Sequence, residues 1–517
     1  MSYKYALISV FDKKGIVEFG QQLHKLGYRI ISTEGTAKTL KAAAIPVIPV
    51  EQITKNPESF DGRMKTVSFQ IESGILFDRQ KSSHVKQAKD LGIIPIDIVV
   101  CNLYPFEQAV SKNKVNLETS LDNIDVGGPT MVRAAAKNFT NVLVVVDPKD
   151  YVFVAEALTN KKATAELRQK LAAKAFYHLS FYDSQIANFL GDEFFPDEFV
   201  VGGKKGINLR YGENPHQQAA VYFEPNSNSP LTTIQKISGR DLSYLNFTDI
   251  SAGLDAVRLF TQPAAVVIKH NTPCGIALGK NSSQALERAI EADPVSAFGG
   301  VIVLNSLLDF DTAKIIASFK ENRRGNIDIV AAPDIQQEAA DMLKSIRKSM
   351  GIYQFGKIPK TLSKRHIKYF DGGFILQTTD KNIDKYFTLW KIVTKIKPSS
   401  KQLEQMKIGW KFVSRIRSNA VIIVDKALPM TRGIGSGQTS RINSTKIALE
   451  QAGKYVQGAI LVSDSFFPFS DSIELAAKYK VGAILQQGGS VRDKDSIEAA
   501  NKAGIAMVFT NTRAFWH

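Results

Sequence analysis

Short apolar runs alternate with amphipathic stretches along nearly the whole chain. Residues 5–10, 28–31 and 45–50 are strand-length apolar runs, and 16–26 and 37–44 between them repeat with helical period. That alternation predicts a parallel, doubly wound sheet. Buried-strand runs follow at 96–100 and 141–146, then a long helical pattern at 171–190. Residues 191–206 mix acids with Phe194-Phe195-Pro196 and Gly202-Gly203-Lys204-Lys205-Gly206, and predict a linker. The second half predicts strands at 264–268, 301–304, 327–331 and 371–377 and a helix from Asp249, and the alternation continues to the end. The run Ala264-Ala265-Val266-Val267-Ile268 is apolar throughout, as a strand buried on both faces is. It stops at Lys269-His270, and Pro273 and Gly275 predict the turn. Open α/β sheets bind ligands outside the carboxyl ends of their strands. A histidine there can move protons near neutral pH, and the adjacent ammonium favours the neutral ring.

The chain has 517 residues, which predicts two to four domains. It is 44% hydrophobic and 22% charged, within the ordinary range of soluble proteins, and no apolar run is long enough to span a membrane. Two cysteines, Cys101 and Cys274, exclude a disulfide scaffold. Met1-Ser2-Tyr3-Lys4 leads straight into a strand pattern without a signal peptide, so the expected location is the cytoplasm. The net charge of +16 is uneven: residues 344–417 hold 18 Lys and Arg against Asp371, Asp380, Asp384 and Glu404. Such a face attracts polyanionic small molecules or nucleic acid. Its cations are scattered and no nucleic-acid motif accompanies them, so an RNA-binding protein ranks as the alternative of another class. Seven scattered histidines predict no metal site.

Several turns carry candidate chemistry. Ser9 and Lys13 flank the first, and Ser32, Gly35 and Thr36 open a helix whose amino end favours an anion. Arg63, Lys65 and Thr66 supply two cations and a hydroxyl, and Asn102 and Tyr104 follow a buried strand. Asp125-Val126-Gly127-Gly128-Pro129 precedes a helix that places Arg133 and Lys137 on one face. Gly433-Ile434-Gly435-Ser436-Gly437 is glycine-rich but lacks the spacing of a nucleotide fingerprint. Arg513, Phe515 and His517 predict a docked carboxyl terminus.

Over nearly its whole length the sequence resembles the bifunctional purine-biosynthesis family that joins AICAR transformylase to IMP cyclohydrolase. Cys101-Asn102-Leu103-Tyr104-Pro105-Phe106, Ile124 through Thr130 and Arg133 through Asn138 match the cyclohydrolase half. Leu209 through His216, Lys269-His270, Asp293 through Gly300, Ser418-Asn419-Ala420, Gly437 through Arg441 and Ser463 through Phe469 match the transformylase half. The resemblance implies an α/β protein. A methylglyoxal-synthase-like parallel-sheet domain would span 1–195, and tandem cytidine-deaminase-like α/β subdomains, without the zinc, would span 205–517. It implies formyl transfer from 10-formyltetrahydrofolate to AICAR, then ring closure of FAICAR to IMP. It also implies a homodimer with transformylase sites at the interface, and chemistry that requires no metal.

For formyl transfer the resemblance and the residue types give His270 as the base, Lys269 as the group serving the leaving folate nitrogen and Asn419 as the oxyanion donor. Arg210 and Arg513 would hold the AICAR phosphate. Tyr211, Asn246, Arg441, Phe466, Phe515 and His517 would contact substrate, and Asp328 would lie near the pterin. For cyclisation, Lys65 and Tyr104 would polarise the formyl oxygen and Asp125 and Lys137 would handle the carboxamide proton. Ser9, Lys13, Ser32, Gly35, Thr36, Arg63, Thr66, Asn102 and Gly127 would bind the substrate and its phosphate. The family's usual Lys-Thr-Leu-His-Pro-Lys-Ile-His-Gly-Gly reads Lys65-Thr66-Val67-Ser68-Phe69-Gln70-Ile71-Glu72-Ser73-Gly74 here. Both histidines and a lysine are replaced, which leaves open a chain with a working transformylase and a decayed cyclohydrolase.

Overall fold

The computed structural model describes residues 3–57, 59–60, 64–110, 117–321, 326–359, 365–380 and 383–517. It divides into two compact units, Met1–Lys204 with Glu224–Asn226, and Lys205–Phe223 with Ser227–His517.

Among the described residues, the first unit holds a five-stranded sheet in the order Val47–Pro49, Tyr28–Ser32, Lys4–Val10, Ile98–Asn102, Leu143–Val145, with every neighbouring pair parallel. Alternate residues serve opposite faces. Ala6 and Ile8 pack with Ile16, Phe19, Leu23 and Leu40, whereas Leu7 and Ile31 pack with Ile71, Met131 and Ala175. The strand order reverses between Lys4–Val10 and Ile98–Asn102, the kind of place where such sheets bind ligands. The third predicted strand is shorter than expected, because Val50 already opens the helix Val50–Thr54. The long helix runs Ala165–Leu190 and starts six residues before the predicted bound, where the Thr164 hydroxyl caps the Leu167 amide.

The second unit repeats one plan. A strand and a helix lead into an antiparallel hairpin, then three strands separated by helices. The first repeat orders its sheet Thr272–Leu278, Ala264–Lys269, Val301–Leu304, Ile329–Ala332, Gly351–Gln354, Gln235–Ser238. The second orders Thr431–Gly435, Val421–Val424, Ile460–Ser463, Ala483–Gln486, Ala506–Phe509, Lys391–Ile392. The pairings agree position by position: antiparallel, antiparallel, parallel, parallel, antiparallel. One core joins the repeats, with Val266, Ile268 and Val303 of the first and Ile422, Val424 and Val462 of the second. The hairpins meet where the Leu278 amide donates to the Pro429 carbonyl at 2.9 Å.

Two expectations shift. The strand expected over 371–377 forms as Gly373–Thr378, the second arm of a hairpin with Arg365–Phe370, with Asp371 and Gly372 at its turn. More consequential is the turn after Lys269. It falls at His270 and Asn271, both at positive φ (54° and 58°), and Pro273 and Gly275 belong to the returning edge strand. Two left-handed residues make the tight turn whose twist suits a hairpin, and an edge strand tolerates proline. The strand Ala264–Lys269 is therefore antiparallel to both neighbours, so Lys269 sits beside the amino end of Val301–Leu304, on the side of the sheet where Ile329–Ala332 also begins.

Candidate active sites

In the first unit, Ser9 Oγ lies 3.0 Å from Thr33 Oγ1. Thr33 precedes the helix Glu34–Ala42 and makes no side-chain cap, so the first-turn amides, Gly35 among them, remain a place for an anion. Ser32 and Thr36 turn their hydroxyls inward instead. Ser32 Oγ donates to the Ile8 carbonyl at 2.7 Å, and Thr36 Oγ1 accepts from the Val10 amide at 3.1 Å and donates to the Val10 carbonyl at 3.2 Å. These two hydroxyls fix the turn, and Thr33, which the sequence reading passed over, is the one at the helix mouth. Asn102 is similarly committed, bonding both the amide (2.8 Å) and the carbonyl (3.0 Å) of Asp12, and so holds the loop that carries Lys13. Lys13 itself is exposed, its ammonium 3.5 Å from the Phe11 carbonyl. Tyr104 stands half-buried, edge-on to Phe11 at 4.5 Å. Arg63 lies outside the described residues.

Lys65 is exposed, and Thr66 is buried against Gly127 at the start of the helix Gly127–Lys137. Asp125 stands just before that helix. Its carboxylate accepts from the Gly128 amide at 2.9 Å, and its own amide donates to Tyr182 Oη at 2.7 Å. Burial pushes the Asp125 carboxyl above the usual range and the Gly128 amide pulls it partly back, which suits a group that must hold and release a proton. Lys137 is the last residue of the same helix. At 1.5 Å per residue its backbone lies about 15 Å along the axis from the helix start, so a task shared with Asp125 depends on the reach of the Lys137 side chain.

Glu72, at one of the replaced histidine positions, has a buried carboxylate oxygen with no hydrogen-bond partner. Burial raises its pKa from the usual 4.5 to about 7. Between those values the folded protein binds a proton that the unfolded chain has released. The contribution to stability is therefore full below pH 4.5 and is lost as pH rises through about 7. Glu72→Gln is expected to flatten that decline, which denaturant titrations at pH 5 and pH 8 will measure.

In the second unit, Lys269, His270, Thr272, Cys274, Asp293 and Ser296 of the first repeat line a cleft of about 230 Å³ together with Ile434, Ser436 and Gln451 of the second. Gln451 joins the walls, donating to Asp293 Oδ2 at 2.6 Å and accepting from the Ile434 amide at 2.6 Å. Lys269 Nζ donates to the Phe298 carbonyl at 2.8 Å, and His270 is exposed at the turn. Burial pushes the Cys274 thiol up to about 12, so it stays protonated and inert. Arg210 lies over the Tyr211 ring at 4.8 Å and reaches Asn246 Oδ1 at 3.4 Å. Asn246 also closes the capping box of the helix Tyr244–Val257 with Ser243.

The other assigned residues are more committed than the sequence implied. Both amide donors of Asn419 are engaged, by the carbonyls of Gln438 (2.8 Å) and Thr439 (3.2 Å), and its oxygen accepts from Arg441 at 2.6 Å. Arg441 is buried and pairs with Asp464, which is fully buried and also accepts from Ser418 Oγ (2.6 Å) and the Ala420 amide (3.0 Å). Asp328 lies between Arg240 (3.2 Å) and Arg347 (3.0 Å). The tail docks as expected, through Ala514 N to Asp464 O (2.8 Å) and Ser418 N to Trp516 O (2.9 Å). There the Arg513 guanidinium stacks on Phe515, which meets His517 edge-on at 5.4 Å. Phe466 is half-buried two residues after Asp464. Gly433 and Gly435 prove to be packing positions: a side chain at Gly435 would sit 1.9 Å from the Ser444 carbonyl oxygen. Among the described residues, no group of three or more His, Cys, Asp or Glu could hold a metal ion, and no helix is long and apolar enough to cross a membrane.

Two α/β units, each gathering ionisable side chains at one edge of a sheet, are the architecture of an enzyme with two sites. The chain belongs to the AICARFT/IMPCHase bienzyme family, which matches residues 135–451, and an MGS-like domain matches residues 15–130. The bifunctional purine biosynthesis protein PurH of Persephonella marina is 42% identical over 99% of this chain and 99% of its own. The protein of the same name from a Thermoanaerobacter species is 43% identical over 99% of this chain and 100% of its own. The crystal structure of ForH covers 37% of this chain and 100% of its own at 33% identity, with a TM-score of 0.33 that carries no weight for the fold.

Proposed function

We propose that the chain catalyses the last two steps of de novo IMP synthesis, formyl transfer from 10-formyltetrahydrofolate to AICAR and dehydrative closure of FAICAR to IMP. The likeness to PurH proteins across 99% of the chain carries this reading. We assign cyclisation to residues 1–195 and formyl transfer to 205–517, in a cytoplasmic homodimer whose partners are small molecules. The basic face of residues 344–417 would draw the polyanionic substrates, and we assign it no nucleic acid.

In formyl transfer the AICAR amine attacks the formyl carbon and the carbon–N10 bond breaks. His270 takes the amine proton, and N10 leaves with a proton that Lys269 helps supply. Arg210 and Arg513 would bind the phosphate, with Tyr211, Phe466, Phe515 and His517 around the rings. Asn419 can stabilise the oxyanion only by exchanging a carbonyl partner for it, and Arg441 acts by holding Asn419. Asp328, with one carboxylate oxygen on Arg240 and the other on Arg347, would lie near the pterin.

Ring closure is intramolecular, so positioning dominates. Lys65 and Tyr104 would polarise the formyl oxygen and Asp125 would exchange the carboxamide proton. The phosphate would lie at Ser9, Thr33, Lys13 and the amides around Gly35, with Arg63 and Thr66 alongside. Lys137 would share the task of Asp125 through the reach of its side chain. Ser68, Gln70 and Glu72 in place of the family's residues favour a second reading, in which cyclisation has decayed. A coupled assay distinguishes them: AICAR and 10-formyltetrahydrofolate are expected to yield IMP, whereas accumulation of FAICAR would establish the second reading.

A further inference from the structure

The helix Tyr244–Val257 turns Ile250, Gly253, Leu254 and Val257 toward the sheet, and Asp249 lies on that same buried side. Only 7% of Asp249 is exposed. Its Oδ1 accepts the Asn271 amide at 2.7 Å, and the His270 charge is the smallest of the influences on the Asp249 carboxyl. Neither His270 nor Asn271 is glycine, yet both hold positive φ, a conformation that persists where the surroundings enforce it. Asp249 supplies such a restraint from outside the hairpin. Gly253, one turn further on, sets the distance: a side chain there would sit 2.4 Å from Val303 Cγ2, so its absence lets the helix press Asp249 against the turn.

We propose that Asp249 is a positioning residue for formyl transfer, fixing the His270–Asn271 turn and serving as counter-charge to the imidazolium formed when His270 takes the amine proton. This rests on His270 being the base. The proton stops on His270, and Asp249 remains an anion throughout. Burial raises the Asp249 carboxyl above the usual carboxylate range, and the Asn271 amide and the His270 charge offset that only in part. Other groups bear on the turn as well. Lys269 of the preceding strand, Cys274 of the returning strand and Asp293 beyond the helix Ser282–Ala292 line the same cleft. Arg210 reaches Asn246 one turn earlier, and Asp255 lies further along the same helix, paired with Arg258. The strand Val301–Leu304 brings only apolar side chains against the helix. Of these acids, Asp249 is the one bonded to the turn itself.

Asp249→Asn keeps an oxygen for the Asn271 amide and removes the charge. The full-length variant is expected to lose about tenfold or more in kcat for formyl transfer, with KM for AICAR nearly unchanged. Cyclisation of supplied FAICAR, housed in the other unit, is measured alongside. A variant with wild-type kcat overturns the proposal, as does one whose KM for AICAR rises as far as its kcat falls, which a purely structural role would give. Should Asp249→Asn fail to fold, Asp249→Ser, small and able to accept the same bond, is read by the same criteria. His270→Asn is run in parallel: if it retains formyl transfer, the assignment of the base has failed rather than the role of Asp249.

Discussion

His270→Ala is expected to lower formyl transfer by about 10²–10⁴-fold, the usual worth of a positioned general base, while closure of supplied FAICAR continues at its normal rate. The AICAR amine is a poor nucleophile, since its lone pair is drawn into the ring and carboxamide, so its attack depends on removal of its proton. His270 is exposed at the mouth of the cleft, and Lys269 beside it, which lines the same space, donates to the Phe298 carbonyl. Alanine at this position introduces a second effect, because residue 270 has a φ of 54° and a left-handed alanine is strained. His270→Asn separates the two, since asparagine accepts that conformation and has no basic nitrogen. Both variants are expected to lose formyl transfer alike. Loss in alanine alone would reduce His270 to a turn residue. Equal loss of formyl transfer and cyclisation would count against separate sites. The measurement is a pair of assays on each variant, one from AICAR and one from FAICAR.

The parallel sheet of the first unit was legible because its strands are short apolar runs separated by helices of regular period, and the structure places them at 4–10, 28–32 and 98–102. Strand direction around Lys269 was not legible. A run of five apolar residues signals burial on both faces, and central antiparallel strands share that pattern with parallel ones. The left-handed pair His270-Asn271 contains no glycine, so Pro273 and Gly275 drew the turn two residues too late. Nor did the repeat show itself, because the helices Tyr244–Val257 and Ser400–Val413 share a place in the plan and a Ser-led capping box but few residues. Motif matching found the right stretches of the candidate sites without their internal bonding. Arg441 joins Asn419 across 22 positions and Asp464 across 23, and Ala420 joins Asp464 across 44, which no local pattern expresses. Two omissions did leave a signal. An acid on the apolar stripe Ile250, Gly253, Leu254, Val257 marks Asp249, and eleven helical residues ending at Lys137 already put its backbone far from Asp125.

The Asp464 network gives the largest expected effect on stability. Asp464 is fully buried, and it accepts from Arg441, from Ser418 Oγ and from the Ala420 amide. Removing it with Asp464→Ala leaves the buried Arg441 guanidinium without its counter-charge and strands two further donors. Breaking a buried pair from one side costs about 3–5 kcal/mol, and the second unit is expected to lose about that much. Asp464→Asn is expected to cost less, since its oxygen still satisfies one set of donors, though not the charge. The chain offers a clean readout, because its three tryptophans, Trp390, Trp410 and Trp516, all lie in the second unit. Urea unfolding followed by tryptophan fluorescence therefore reports that unit, and cyclisation of FAICAR reports the first. The consequence for formyl transfer follows from the same bonds: Arg441 orients Asn419, and the Asp464 carbonyl anchors the tail that bears Arg513 and Phe515. Asp464→Asn is thus expected to raise KM for AICAR as the tail and the Gln438–Thr439 segment lose their common support. If the fluorescence midpoint moves while KM stays put, the network supports the fold alone, and Arg513 and Phe515 would have to be dropped as substrate contacts.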